Sequence, residues 1–173
     1  MTKIANYLIG ALIAGCLCFA AGEAQADCPP DLWKGLIAES ARGNLEEYRT
    51  IASIVRNRLD RDMDHGLVAL RRKKIPRITH VQVNGRKIKK LVYVSLDTFV
   101  DRELAYARTK KGGNKDLEKT AKTAAGEDRD YANGATHYEH TGVYPVPRWA
   151  KKMKVVKVLF PGTKDEITCW KKA

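Results

Sequence analysis

The sequence predicts a mainly helical α+β domain with one or two β-hairpins. Apolar residues recur at helical spacing in four stretches, Asn84-Gly85 sits between two β-branched runs, and an alternating segment near the C-terminus closes on Pro161-Gly162. A chain of 173 residues has room for one domain of ordinary size and a processing segment.

After Pro29-Pro30, Asp31 is placed to cap a first helix running to about Arg42, and Gly43 follows where a helix end favours positive φ. Asn44 opens a second helix, with Glu47 as its capping-box partner and Tyr48, Ile51, Ala52, Val55 and Leu59 on one face. The basic run Arg71 to Lys74 precedes a predicted hairpin, strands Thr79 to Val83 and Ile88 to Val94 around Asn84-Gly85. A third helix spans Leu96 to Arg108, with Leu96, Phe99, Val100, Leu104 and Ala107 on one side, and ends in the flexible link 110–114. A fourth, Leu117 to Ala125, carries the narrow stripe Leu117, Ala121 and Ala124 and stops at Gly126. Asp130 to Trp149, punctuated by Asn133-Gly134, Pro145 and Pro147, reads as an ordered loop. Lys154 to Phe160 alternates as a strand, and Ile167 to Trp170 returns beside it.

The first 26 residues read as a secretory signal: Lys3, a mostly apolar run from Tyr7 to Gly22, then Ala24-Gln25-Ala26 as the small-x-small cleavage pattern. An uncleaved membrane tether and a lipoprotein box ending at Cys16 are the other readings, and all favour export to the periplasm or cell envelope. The rest, residues 27–173, is expected to form the single functional domain and to be monomeric. Cys28 and Cys169 are then the two cysteines left, and a disulfide between them is expected. It would close a loop of about 140 residues, worth roughly 3 to 5 kcal/mol. Two free buried thiols are the plainer reading.

Removing residues 1–26 takes one base, Lys3, and one acid, Glu23, from the 32 and 20 of the whole chain, so the net +12 belongs to the folded part. Such an excess attracts polyanions. In an exported protein the anionic cell envelope, not nucleic acid, is the expected partner, while Lys110-Lys111, Lys151-Lys152 and Lys171-Lys172 each read as solvated surface.

On a helical wheel Glu39 falls about 20° from Leu32 and about 60° from Leu36, beside the face those residues must bury. Partial removal from water disfavours a carboxylate's charged form, which is how a glutamic acid is kept ready to protonate a glycosidic oxygen. A salt bridge to Arg42 is the plainer reading.

The segment Leu36-Ile37-Ala38-Glu39-Ser40-Ala41-Arg42-Gly43-Asn44, followed by Ile51 to Leu59, resembles the start of the catalytic domain in the SleB-type cell-wall hydrolases. Asn133-Gly134-Ala135-Thr136-His137-Tyr138 with Pro147-Arg148-Trp149-Ala150 looks like the same family's second block. Together they cover residues 32–59 and 131–153. The resemblance implies a lysozyme-like fold and lytic transglycosylase action on the bond between N-acetylmuramic acid and N-acetylglucosamine in peptidoglycan glycan strands, without cofactor or metal, with Glu39 as the catalytic glutamate.

One carboxyl group suffices for that chemistry. It protonates the leaving oxygen and then takes the proton of the sugar's own 6-hydroxyl. A second carboxylate would point to hydrolysis instead, and Glu139 is the candidate by position. Tyr138, Tyr144 and Trp149 are candidate platforms for sugar rings, and Thr136 and His137 candidate hydrogen-bond partners for acetamido groups. Asn57 and Arg58 are expected to fix the second helix against the loop. Three rivals stand beside this reading: a zinc-dependent amidase or peptidase using His137 and His140, although His-x-x-His in a loop departs from the zincin spacing; a basic glycan-binding module without activity; and a phage endolysin.

Overall fold

A corner between two helices organises the molecule, and Asn44 sets it. The computed structural model describes residues 28–40, 42–72 and 74–173; the leader read over residues 1–26, with Cys16, lies outside the described residues. Helix α1 (Leu32–Glu39) stops three residues short of its expected end because Ser40 turns extended, at φ −147°, and gives its carbonyl to the Tyr48 hydroxyl. Asp31 does not cap α1 through its side chain and pairs instead with Lys34 at 3.0 Å. Gly43, at φ +71°, rounds the corner. A Cβ there would stand 2.5 Å from Leu117 Cδ1 and 2.7 Å from Asn114 Nδ2, so only glycine fits. Asn44 then accepts from the amides of Glu46 (2.9 Å) and Glu47 (3.2 Å), capping helix α2 (Leu45–Leu59) as expected.

Helix α2 is buried almost all round, from Thr50 through Arg56, and is the shaft of the protein. Its Tyr48, Ile51, Ala52 and Val55 enter a helical core with Leu36 and Ile37 of α1, Val100 of α4 (Leu96–Thr109) and the predicted stripe Leu117, Ala121 and Ala124 of α5 (Leu117–Gly126). Ile54 turns the other way into a second core with Ala132, Ala135, Leu159, Ile167 and Cys169. Tyr138 packs against both and so lies at their seam.

The second core is floored by a three-stranded antiparallel sheet in the order β3 (His137–Glu139), β5 (Ile167–Lys172), β4 (Met153–Leu159). The β4–β5 hairpin agrees with the sequence reading. The expected loop 130–149 contains β3, which pairs Tyr138 with Cys169, and it leads into a 3-10 turn, Arg148–Lys152. A short helix α3 (Val68–Arg71) lies against α1 and ends on Arg71, the first residue of the basic run. Strands β1 (Ile75–Val83) and β2 (Arg86–Val94) form the predicted hairpin, β1 longer at the base and β2 at the turn than expected, and among the described residues they pair only with each other. Asn84 and Gly85 at its turn have φ of +50° and +73°, as a type I′ turn requires. The architecture is therefore mixed α+β, with five helices and two small sheets among the described residues. Among the described residues no helix is long and apolar enough to cross a membrane.

The structure corrects one expectation outright: Cys28 and Cys169 are free thiols. Proximity to the two ends of the chain did not make them neighbours. Cys28 packs at the edge of the helical core, where burial raises its pKa and Arg56 partly offsets this, while Cys169 is enclosed in the second core with its thiol pushed up to about 12 by burial. A reducing agent is accordingly expected to leave the melting temperature of the chain from Asp27 unchanged, and both thiols should react with maleimide in denaturant without prior reduction. A drop in melting temperature on reduction would restore the disulfide.

Candidate active site

Glu39 is the last residue of α1 and half-buried. Arg42, the salt-bridge partner of the plainer reading, pairs with Asp165. Glu39 is instead met by Tyr138, 99 residues on, whose hydroxyl donates to Oε2 at 2.9 Å. Oε1 accepts no hydrogen bond from the described residues. Tyr138 is half-buried. Burial first, and the Glu39 carboxylate beside it second, raise the phenol pKa well above its ordinary value, so the hydroxyl remains a donor.

Three anchors hold Tyr138 in place. Strand β3 pairs with β5, and the Thr136 amide donates to the Trp170 carbonyl at 3.0 Å. Arg58 Nη1 donates to the Thr136 carbonyl at 3.0 Å, and Asn57 Nδ2 to the Ala135 carbonyl at 3.0 Å, so α2 grips the strand as its Asn-Arg pair suggested. Asp130 closes the loop before it, accepting from the amides of Ala132 (2.7 Å) and Gly134 (2.6 Å). Arg56, next in line, turns inward and caps the end of α5 at the carbonyls of Ala124 and Ala125.

The other site residues surround this pair unequally. Beside Tyr138 lies a pocket of about 110 Å³, walled by Ile54, Val55, Arg58, His65, Thr136 and His137. A water takes roughly 10–15 Å³ on such a measure, so the pocket has room for several waters or for a side group of a ligand. Thr136 is buried, and its hydroxyl meets His137 Nδ1 at 2.9 Å. Burial, then Arg58 and Lys172, hold the His137 pKa below the ordinary imidazole value. Its ring lies 5.1 Å from that of Trp149, which in turn meets Trp170 edge-on at 5.4 Å. Trp149 is thus a loop anchor that still exposes 44 % of its surface. Tyr144 is more open, at 57 %, with its amide tied to the His140 carbonyl at 2.8 Å.

His137 and His140 serve different neighbours, since the His140 ring lies edge-on to Tyr138 at 6.2 Å. Among the described residues no group of three His, Cys, Asp or Glu is placed to hold a metal. Glu139 folds back on the chain, its Oε1 accepting from the His140 amide at 3.0 Å.

Glu47 departs from the sequence expectation of a capping box: it is fully buried, with neither carboxylate oxygen hydrogen-bonded among the described residues. Burial raises its pKa; the nearby Ser40 hydroxyl and the His140 and Arg42 charges ease this only in part. Its spacing held the signal, because Glu47, Thr50, Ile51 and Ile54 recur at i, i+3, i+4 and i+7 and share one buried stripe.

Tyr138→Phe removes the only hydrogen bond to the Glu39 side chain among the described residues and keeps the packing. If Glu39 acts as an acid, the loss of one hydrogen bond to an ionisable group, about 1.5 kcal/mol, predicts a rate lower by about tenfold with KM little changed. Steady-state kinetics on soluble glycan fragments checks this.

Comparison with known proteins returns no match: no family model, no curated protein and no solved structure aligns significantly with the chain.

Proposed function

We propose that this chain is an exported enzyme that cuts the glycan strands of peptidoglycan as a lytic transglycosylase, with Glu39 as general acid and then general base, on a lysozyme-like arrangement of helices. The observation that carries the reading is the Glu39–Tyr138 contact: a helix-terminal carboxyl, partly withdrawn from water, held at one oxygen by the Tyr138 phenol. Tyr138 fixes Oε2, which leaves Oε1 to give a proton to the glycosidic oxygen and afterwards to take one from the 6-hydroxyl of the same sugar. The sugar oxygen attacks the anomeric carbon as the bond to the leaving group breaks, and the proton gained by Glu39 restores the acid.

Cleavage by one carboxyl group, and not hydrolysis by two, is favoured by what the neighbouring acids do. Glu47 has no surface in contact with water, and Glu139 is turned onto its own following amide. The pocket beside Tyr138 suits an acetamido group, with Thr136 and His137 at its wall, while Trp149 and Tyr144 offer exposed ring faces further out. The test is digestion of purified sacculi by the chain from Asp27, with the released fragments weighed. Anhydromuropeptides are expected. Fragments with reducing ends would make the enzyme a hydrolase, free peptides would make it an amidase, and no soluble product would leave a binding module.

A further inference from the structure

The β1–β2 hairpin has no role in the site described above, and its chemistry is unusual for this chain. From Arg71 to Val94 the sequence carries nine Lys and Arg and no Asp or Glu, against a net charge of +12 for the whole protein. Among the described residues the hairpin pairs with no other strand. Its inner face is fastened at the base, where Arg77 pairs with Glu103 at 2.7 Å and lies over the Phe99 ring of α4. A two-stranded hairpin is marginal alone in water, so this one stands as an arm on that fastening.

Register sorts the outer face into two zones. Pro76 faces Tyr93 and Ile78 faces Leu91 in the half nearer the body; His80 faces Lys89 and Gln82 faces Lys87 in the half nearer the turn. Ile78, Leu91 and Tyr93 are 62 %, 54 % and 62 % exposed, an apolar cluster of cross-strand neighbours left in water. Among the described residues no carboxylate pairs with Arg86, Lys87, Lys89 or Lys90, in contrast to Arg71 and Arg77.

The occupant of this face has to satisfy both zones. A second copy of the chain brings the same unrelieved positive charge and is repelled. A soluble polyanion neutralises the lysines and leaves the apolar cluster in water. The surface of a bilayer containing anionic phospholipid does both, because phosphates lie at the level of the lysine heads while the headgroup layer takes up apolar and aromatic side chains. We propose that the β1–β2 hairpin is a membrane-docking arm that lies flat on an anionic phospholipid surface, with Ile78, Leu91 and Tyr93 set into the headgroup layer and Lys87 and Lys89 against the phosphates. The leader is not needed for this attachment.

The test is co-sedimentation of the chain from Asp27, which carries both cores, with vesicles of phosphatidylcholine alone or of equal parts phosphatidylcholine and phosphatidylglycerol. Binding is expected to the mixed vesicles only. Lys87→Gln/Lys89→Gln should weaken it about twenty-fivefold, each lysine contributing about fivefold. Ile78→Ser/Leu91→Ser/Tyr93→Ser should weaken it by at least about tenfold at unchanged circular dichroism. The lysine set lies at exposed positions and tests the arm even if the apolar set perturbs folding. Absence of binding to the mixed vesicles, or wild-type binding by either variant, overturns the proposal. So does release of the protein by polyglutamate at an equal concentration of negative charge, which would assign the arm to a soluble polymer. Vesicle binding is read without wall substrate, so it stands or falls separately from glycan cleavage.

Discussion

Glu39→Gln is expected to abolish release of soluble fragments from sacculi, lowering the rate by roughly a hundredfold to ten-thousandfold, the range a positioned general acid supplies. Glutamine has nearly the shape of the acid and still offers an oxygen to the Tyr138 hydroxyl, which now donates to Oε2 at 2.9 Å. Packing at the seam of the two cores is therefore retained and the melting temperature should not move. Loss of activity at constant stability separates a chemical role from a structural one. A glutamine variant that digests sacculi at the wild-type rate would remove Glu39 from the mechanism, and the rest of the functional proposal with it.

Replacing Glu47 by methionine is expected to stabilise the protein, and more so at high pH. Its carboxyl group is fully buried without a hydrogen-bond partner among the described residues, and burial raises its pKa above the ordinary 4.5. Between that ordinary value and the raised one, the folded state holds a proton that the unfolded chain has released. Stability from this group is therefore highest below the ordinary pKa, falls as pH rises through the window, and levels off above the folded value. An unsatisfied buried polar group costs about 1–3 kcal/mol, and an unbranched apolar side chain of similar length removes that cost. The difference in unfolding free energy between Glu47→Met and wild type, followed by urea denaturation, should grow from pH 4 to pH 8. Using the difference cancels the opposite slope from Asp64, Glu118, Glu127 and Glu166, whose pKa values hydrogen bonds and ion pairs lower. A pH-independent difference would mean that Glu47 is solvated or paired. The same variant should cleave glycan, since one acid carries the chemistry in the reading above.

What could be read from residues alone was what neighbouring residues decide. The Asn44 cap, the Asn84-Gly85 turn and the stripe Leu117, Ala121 and Ala124 depend on contacts within a few positions, and the structure has all three. The end of α1 depends on Tyr48 taking the Ser40 carbonyl from across the corner, so the helix is shorter than its own residues suggest. Strand β3 is only three residues long and exists because β5 lies beside it; nothing in His137-Tyr138-Glu139 marks it as a strand. Glu39 stood out by its place on the wheel and by its surroundings, whereas its contact with Tyr138 rests on the path of nearly a hundred intervening residues. Glu47 was hidden by a cap motif that explained it too well, and the cysteine pairing rested on position along the chain, which says nothing of distance in space.

The pairing of β3 with β5 also orders events during synthesis. Of the described elements β5 is made last, and without it the Thr136 amide and the backbone of Tyr138 have no partner strand to set them. A chain still emerging from the ribosome or threading an export channel therefore carries Glu39 without the phenol that holds it. On the proposed reading, the cutting site takes its final form only after β5 has been made.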